Sequence, residues 1–152
     1  MDIVYKIGEG FFSTQLFDYL RGYTSRYQGS NLFNGIFACS FVVSILIFFL
    51  YYYVIGHYGS PRWARLKYWV IVLIFNFVVN LIGPSMFCKN EMRNGKMVKL
   101  DPSTEENISL QITSIDCWMF GLYNAILFSV IFFIICIIFK KWSTNISHIP
   151  FK

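Results

Sequence analysis

The sequence predicts an all-α integral membrane protein with three transmembrane helices, an N-terminal amphipathic interfacial helix and one external loop of about 28 residues. Three apolar runs, 32–55, 68–88 and 117–139, contain no Lys, Arg, Asp or Glu. All 13 basic and all 8 acidic residues therefore lie between or beside these runs. About 20 apolar residues cross the hydrocarbon core of a bilayer, so each run is long enough for one span. The 152 residues leave room for a single membrane domain.

The net charge of +5 does not indicate nucleic-acid binding. The basic residues are not gathered on one polar surface, as a nucleic-acid interface requires. They stand in the segments between apolar runs, where the headgroups of anionic lipids are their expected counterpart. The lipid bilayer is therefore the first predicted partner.

The N-terminal segment, residues 1–31, is too polar to enter the hydrocarbon core, because three acidic and three basic residues are spread along it. Its apolar residues fall on two short helical faces. We expect these faces to lie in the lipid headgroup region, and packing on the protein's own spans is the alternative. The faces comprise Ile3, Val4, Ile7 and Phe11, and then Phe12, Leu16, Tyr19, Leu20 and Tyr23.

The first span, 32–55, carries small residues near its N-terminal end. Ser40 and Ser44 are four residues apart, so they share one helical face. Gly35 and Ala38 make the same end of the helix thin. Small residues on a membrane helix allow a second helix to approach closely, which predicts helix packing here.

The second span, 68–88, is apolar except for a few polar residues, of which Asn76 and Asn80 stand four apart. An amide that faces lipid has no hydrogen-bonding partner, so we expect both to face another helix. Gly83, Pro84 and Ser85 predict that the helix bends or ends near the membrane surface.

The third span, 117–139, is bracketed by Trp118 and Trp142, which is typical of aromatic belts at the two membrane interfaces. Asn124 and Ser129 are its main polar members. The tail that follows, 140–152, is expected to be loosely ordered.

The long loop, 89–116, separates the second and third spans. Its alternating apolar residues predict a small β-hairpin on the membrane surface, and a short helix at residues 101–106 is the alternative. Cys88 and Cys117 stand at the two ends of the loop, so a disulfide that clamps it is possible in an oxidising compartment. Two unpaired thiols are the alternative. The strand residues would be Met97, Val98 and Leu100, paired with Ile108, Leu110 and Ile112.

The turn between the first two spans, 56–67, sets the expected orientation. It contains three basic residues and no acidic residue, and the tail 140–152 also contains three basic residues and no acidic one. The positive-inside rule therefore places both in the cytoplasm, with the N-terminus and loop 89–116 outside. A bacterial inner membrane is the predicted location. The turn residues expected to contact lipid or a partner are Arg62, Trp63, Arg65 and Lys67.

The sequence contains no recognisable catalytic constellation, so we expect a protein that is not an enzyme and that needs no metal or cofactor. His57 and His148 have no Cys, Asp or Glu nearby in the sequence. Ionisable residues within spans usually mark ion pathways, and these spans have none, which argues against an ion pump. No small-molecule substrate is indicated.

The predicted function is that of a non-enzymatic subunit of a larger membrane assembly, such as an anchor or accessory chain of a secretion or transport machine. Its partners would be other membrane subunits or copies of itself. One alternative is a homo-oligomeric channel with an Asn- and Ser-lined lumen, and another is a small immunity protein that binds a toxin through loop 89–116. The residues assigned to helix packing or to the pore lining are Asn76, Asn80, Asn124, Ser40 and Ser44.

Overall fold

Helices dominate the part of the chain that the computed structural model describes, which comprises residues 5–6, 10–22, 31–55, 66–100 and 107–139. A π-helical segment, Leu50–Ile55, continues the second helix. Two short strands are paired in the long loop. The helices are α1 (Thr14–Arg21), α2 (Leu32–Phe49), α3 (Leu66–Arg93) and α4 (Ser114–Phe139), and the strands are β1 (Val98–Leu100) and β2 (Asn107–Ser109).

Three helices are long and apolar enough to cross a membrane, as predicted. They are Leu32–Val54, Leu66–Arg93 and Ser114–Phe139, with 23, 28 and 26 residues. At about 1.5 Å of rise per residue, even the shortest exceeds the roughly 30 Å of a hydrocarbon core. The all-helical framework therefore has the dimensions of a membrane protein.

Helix α3 continues past the point where the sequence predicts that it bends or ends. Pro84 lies inside this helix, which extends to Arg93. Proline removes one N–H donor from the helix, but such residues are tolerated in membrane helices where side chains satisfy nearby carbonyl groups. Ser85 Oγ donates a 2.8 Å hydrogen bond to the Leu81 carbonyl in this region. The first five residues of the predicted loop, 89–93, are consequently helical.

The chain packs as two units, and their division passes through all three long helices. Unit 1 comprises Met1–Cys39 and Leu81–Asn124, and unit 2 comprises Ser40–Asn80 and Ala125–Lys152. Each unit therefore contains one part of every span.

Helix α1 belongs to the core of unit 1. Ser13 caps its N-terminus by accepting a hydrogen bond from the Gln15 N–H, and Gly22 ends it in the left-handed conformation at φ 87°. The apolar side of α1 is buried within the protein, in agreement with the alternative to a headgroup position. Four residues of the two predicted faces, Ile3, Val4, Ile7 and Tyr23, lie outside the described residues. The buried α1 side chains are Leu16, Phe17, Tyr19 and Leu20.

The strand pair lies where the sequence predicts a hairpin, although its second strand begins earlier than expected. β1 and β2 are antiparallel, with Val98 opposite Ser109. Ile108 points outward and is exposed, whereas Met97 and Ile112 on either side of the pair are buried in unit 1. The loop is thus attached to its unit by residues that flank the strands. The alternative helix, at residues 101–106, lies outside the described residues.

Gly121 marks a close approach between α3 and α4 in unit 1. A Cβ atom placed on Gly121 would lie 2.5 Å from the Leu81 carbonyl oxygen and would also overlap the Ser85 side chain. Because a backbone oxygen cannot move aside as a flexible side chain can, this crossing requires glycine. Gly83, in contrast, has no heavy atom within 4 Å of such a Cβ.

Replacing Gly121 by Ala should lower the free energy of unfolding by about 1–3 kcal/mol, the usual cost of overpacking. Gly83→Ala is the matched control, since it adds the same methyl group to open space and alanine favours a helix. SDS titration of the two purified variants in mixed micelles would measure both effects. Equal stability of the two variants would contradict the close approach.

Candidate helix-packing site

Ser44, Asn76 and Asn80 form a hydrogen-bonded cluster in unit 2, which we call the amide cluster. Asn80 Nδ2 lies 3.3 Å from Ser44 Oγ on α2. The same nitrogen lies 2.9 Å from the Asn76 carbonyl oxygen and 3.2 Å from Asn76 Oδ1. Asn76 Nδ2 in turn donates to the Phe128 carbonyl of α4 at 3.3 Å. Two amides of α3 therefore form hydrogen bonds to both other spans.

The position of the amide cluster follows from the spacing of its residues. A separation of four residues places Asn76 and Asn80 on one face of α3, and their side chains turn inward because hydrocarbon offers no hydrogen-bonding partner. All three members of the cluster are at most 2% exposed. Ser40, one turn before Ser44, is also buried. Buried hydrogen bonds between helices are what a helix-packing role requires.

Asn124 lies in unit 1 and has its own partners. Its Nδ2 donates to the Phe120 carbonyl at 3.0 Å, and its Oδ1 accepts a 2.8 Å hydrogen bond from the Tyr5 hydroxyl. Tyr5 is fully buried and stacks on Phe33, with ring centroids 4.3 Å apart. Burial raises the pKa of the Tyr5 hydroxyl above its ordinary value, so this group stays protonated and donates. The predicted set of polar span residues is thus divided between the two units.

Glu91 is a buried carboxylate that the sequence assigns to the loop. Because α3 extends to Arg93, Glu91 instead occupies its last turn. Tyr19 of α1 donates a 3.0 Å hydrogen bond to Glu91 Oε2, and Lys96 Nζ lies 2.8 Å from Oε1. The Glu91 side chain is 7% exposed and the Lys96 side chain 47%, so the carboxylate is the more buried partner of this ion pair. Through these two contacts, the Glu91 carboxylate links the end of α3 to α1 and to the turn that follows α3.

Two further polar contacts fix the segment between β2 and α4. The Gln111 N–H donates to Gln15 Oε1 of α1 at 2.9 Å. Asp116 Oδ2 accepts hydrogen bonds from the Thr113 N–H and hydroxyl at 2.8 and 2.7 Å. An acidic residue in the first turn of α4 also interacts favourably with the helix dipole. The N-terminus of α4 is therefore capped by its own sequence.

The possible Cys88–Cys117 disulfide is not formed. All four cysteines are free thiols. Cys88 and Cys117 are both fully buried in the same core cluster of unit 1, so the fold brings them into one region without bringing the sulfur atoms to bonding distance. Position at the two ends of a loop does not fix the distance between side chains, and the free thiols agree with the alternative of two unpaired cysteines.

The basic turn is only partly described. Arg62, Trp63 and Arg65 lie outside the described residues, as does the tail 140–152. Lys67 is exposed in the first turn of α3, and its Nζ lies 5.0 Å from the ring centroid of Tyr68. An exposed cation beside an aromatic ring is typical of a membrane interface.

A buried aromatic cluster in unit 2 has no counterpart in the predicted site. It includes Phe48 and Tyr52, whose ring centroids lie 4.7 Å apart, together with Tyr51, Trp69 and Cys136. Tyr51 and Tyr52 belong to the π-helical continuation of α2 and are each 1% exposed. The run of three tyrosines signals an interface by composition, but composition does not show which rings turn inward.

The described residues define a class of protein more clearly than they define a reaction. Three apolar helices are compatible with membrane integration. Within the described ranges, no three His, Cys, Asp or Glu side chains are grouped so that they could hold a metal ion. Comparison with protein-family models, with curated proteins and with solved structures finds no match to this chain. The geometry of the helices and their polar contacts therefore carries the functional argument.

The hydrogen bond between Asn80 and Ser44 should show as a coupling in a double-mutant cycle. Such bonds in membranes contribute about 0.6 kcal/mol on average and up to about 1.7 kcal/mol. We expect Asn80→Ala and Ser44→Ala to be non-additive by this amount in unfolding from mixed micelles. Asn90→Ala, at an exposed position of the same helix, serves as the control and should be additive with Ser44→Ala. Strict additivity of the Asn80 and Ser44 substitutions would remove the proposed contact.

Proposed function

We propose that this chain is a non-enzymatic integral membrane subunit of a larger membrane assembly, in which it serves as an anchor or accessory chain. One observation carries the proposal. The side-chain amides of Asn76, Asn80 and Asn124 are bonded within the chain, while the outward faces of the same spans are largely apolar and exposed. Such a protein offers its surroundings helix surfaces rather than a reactive site.

The outward faces are extensive. Only 28%, 22% and 28% of the most apolar stretches of the three spans are buried within the chain. Most of the span surface is therefore left for lipid or for neighbouring helices, and a thin three-helix chain gains packing area by associating. The exposed side chains include Val42, Leu46 and Phe49 of α2, Ile71, Ile74 and Phe75 of α3, and Ile126, Val130 and Ile134 of α4.

The N-terminal part of α2 is the part of this surface best suited to a neighbouring helix. Gly35, Ala38 and Cys39 are all exposed there. Gly35 has no heavy atom within 4 Å of a Cβ placed on it, so the helix surface is open at this point. In membranes, small exposed residues let two backbones approach and gain van der Waals contact. This part of α2 is the expected contact with another subunit.

The channel alternative is less well supported. A lumen needs polar side chains that face water in the assembled ring. Asn76, Asn80 and Ser44 are instead bonded to one another inside one chain. Their burial weighs against a pore made by several copies.

The orientation and the membrane type belong to the same proposal. We place residues 56–67 and the C-terminus in the cytoplasm of a bacterial cell, and loop 89–116 on the opposite side. The basic residues of the turn and tail support this orientation. The immunity alternative, which uses loop 89–116 to bind a toxin, stays a prediction.

Extraction of the tagged chain from native membranes into polymer-bounded lipid discs tests the proposal. We expect discs that contain this chain and other membrane chains in a fixed ratio, measured by mass photometry and quantitative mass spectrometry. Gly35→Leu should lower the amount of partner recovered at least about tenfold, because a bulky side chain prevents close helix contact. Gly83→Leu, at an equally open glycine of α3, should leave it unchanged.

If the discs contained only this chain, and the chain in them were as stable as in its native membrane, the result would contradict the subunit proposal. A partner lost equally from both glycine variants would contradict the assignment of the contact to α2.

A further inference from the structure

A pair of cations and an indole ring stand together at the end of α3 in unit 1. Lys89 Nζ lies 4.6 Å from the ring centroid of Trp118, which projects from the first turns of α4. Arg93 follows Lys89 by four residues, so both lie on one face of α3, roughly 6 Å apart along its axis. Arg93 and Trp118 are exposed and Lys89 is half-buried. This group of three side chains is here called the Lys89 site.

Within the described ranges, Lys89 and Arg93 form no ion pair with an acidic side chain. The ion pair in this region joins Lys96 to Glu91 instead. The two acidic residues on the adjoining elements are already engaged. Glu91 accepts hydrogen bonds from Tyr19 and Lys96, and Asp116 accepts two from Thr113. Two positive charges are therefore available to a ligand.

The surface beneath the Lys89 site is apolar. Ile82 and Met86 precede Lys89 by seven and three residues on the same side of α3, and both are exposed. The surface of α3 therefore changes from apolar side chains to cations within two helical turns. A tryptophan at the same level is typical of the boundary between acyl chains and headgroups.

We infer that the Lys89 site binds the headgroup phosphate of an anionic phospholipid, with the acyl chains lying along Ile82 and Met86. Charge complementarity selects this ligand, since Arg and Lys pair with phosphate oxygens and the apolar face accepts hydrocarbon. A zwitterionic headgroup brings its own cation, which competes with Lys89 and Arg93 for the phosphate. Trp118 positions the Lys89 ammonium through the cation–π contact. The inference does not depend on a partner subunit.

Native mass spectrometry of the full chain in detergent, titrated with phosphatidylglycerol or phosphatidylcholine, tests the inference. We expect the wild type to bind phosphatidylglycerol at least about tenfold more tightly than phosphatidylcholine. Lys89→Gln with Arg93→Gln should remove this preference. The control, Lys6→Gln with Arg21→Gln, removes two positive charges elsewhere in unit 1 and should change the affinity less than about twofold.

Equal losses in the two double variants would overturn the site, because they would indicate attraction to net charge alone. Displacement of the lipid by glycerol 1-phosphate at equal affinity would overturn the lipid as the ligand. A second readout needs no variant. Phosphatidylglycerol should protect Lys89 from acetylation while the exposed Lys6 stays reactive, and unchanged acetylation of Lys89 would overturn the inference.

Discussion

The hydrogen bonds of Asn80 reflect the constraint on which the rest of the structure depends. The interior of a bilayer offers no water, so a span that carries an amide must supply a partner from its own chain or from a neighbour. Asn80 donates hydrogen bonds to Ser44 of α2 and to Asn76 of its own helix, and Asn76 donates one to the Phe128 carbonyl of α4. Each such bond stabilises the fold modestly, but it fixes which faces of the helices meet. The outward faces are then left to apolar residues.

The same principle organises unit 1 through different groups. Asn124 accepts a hydrogen bond from the Tyr5 hydroxyl, and Glu91 accepts hydrogen bonds from the Tyr19 hydroxyl and from Lys96. The buried carboxylate would be costly without these donors. Segments that precede the first span therefore serve as hydrogen-bonding partners for the spans, in addition to burying the apolar side of α1. The N-terminal region is part of the packed protein where the structure describes it.

Features encoded by local pattern were predictable, and features that depend on distant pairing were not. The three spans follow from charge-free runs, and the common face of Asn76 and Asn80 follows from their spacing. The Tyr5–Asn124 bond joins residues 119 positions apart, so no periodicity indicates it. Glu91 was assigned to the loop because Gly83, Pro84 and Ser85 are typical of a helix end, whereas α3 continues through Pro84 to Arg93. The sequence left open whether Cys88 and Cys117 pair, because loop ends fix sequence separation and not sulfur distance.

The central claim is that the side-chain amides of Asn76, Asn80 and Asn124 are bonded inside a single chain and do not face water. NMR of the protein labelled with ¹⁵N-asparagine in lipid nanodiscs, titrated with a water-soluble gadolinium chelate, tests it directly. The account predicts that the side-chain amide signals of Asn76, Asn80 and Asn124 keep their intensity while those of the exposed Asn90 and Asn94 are lost. Loss of the signals of Asn76 and Asn80 at the same chelate concentration as that of Asn90 would contradict it.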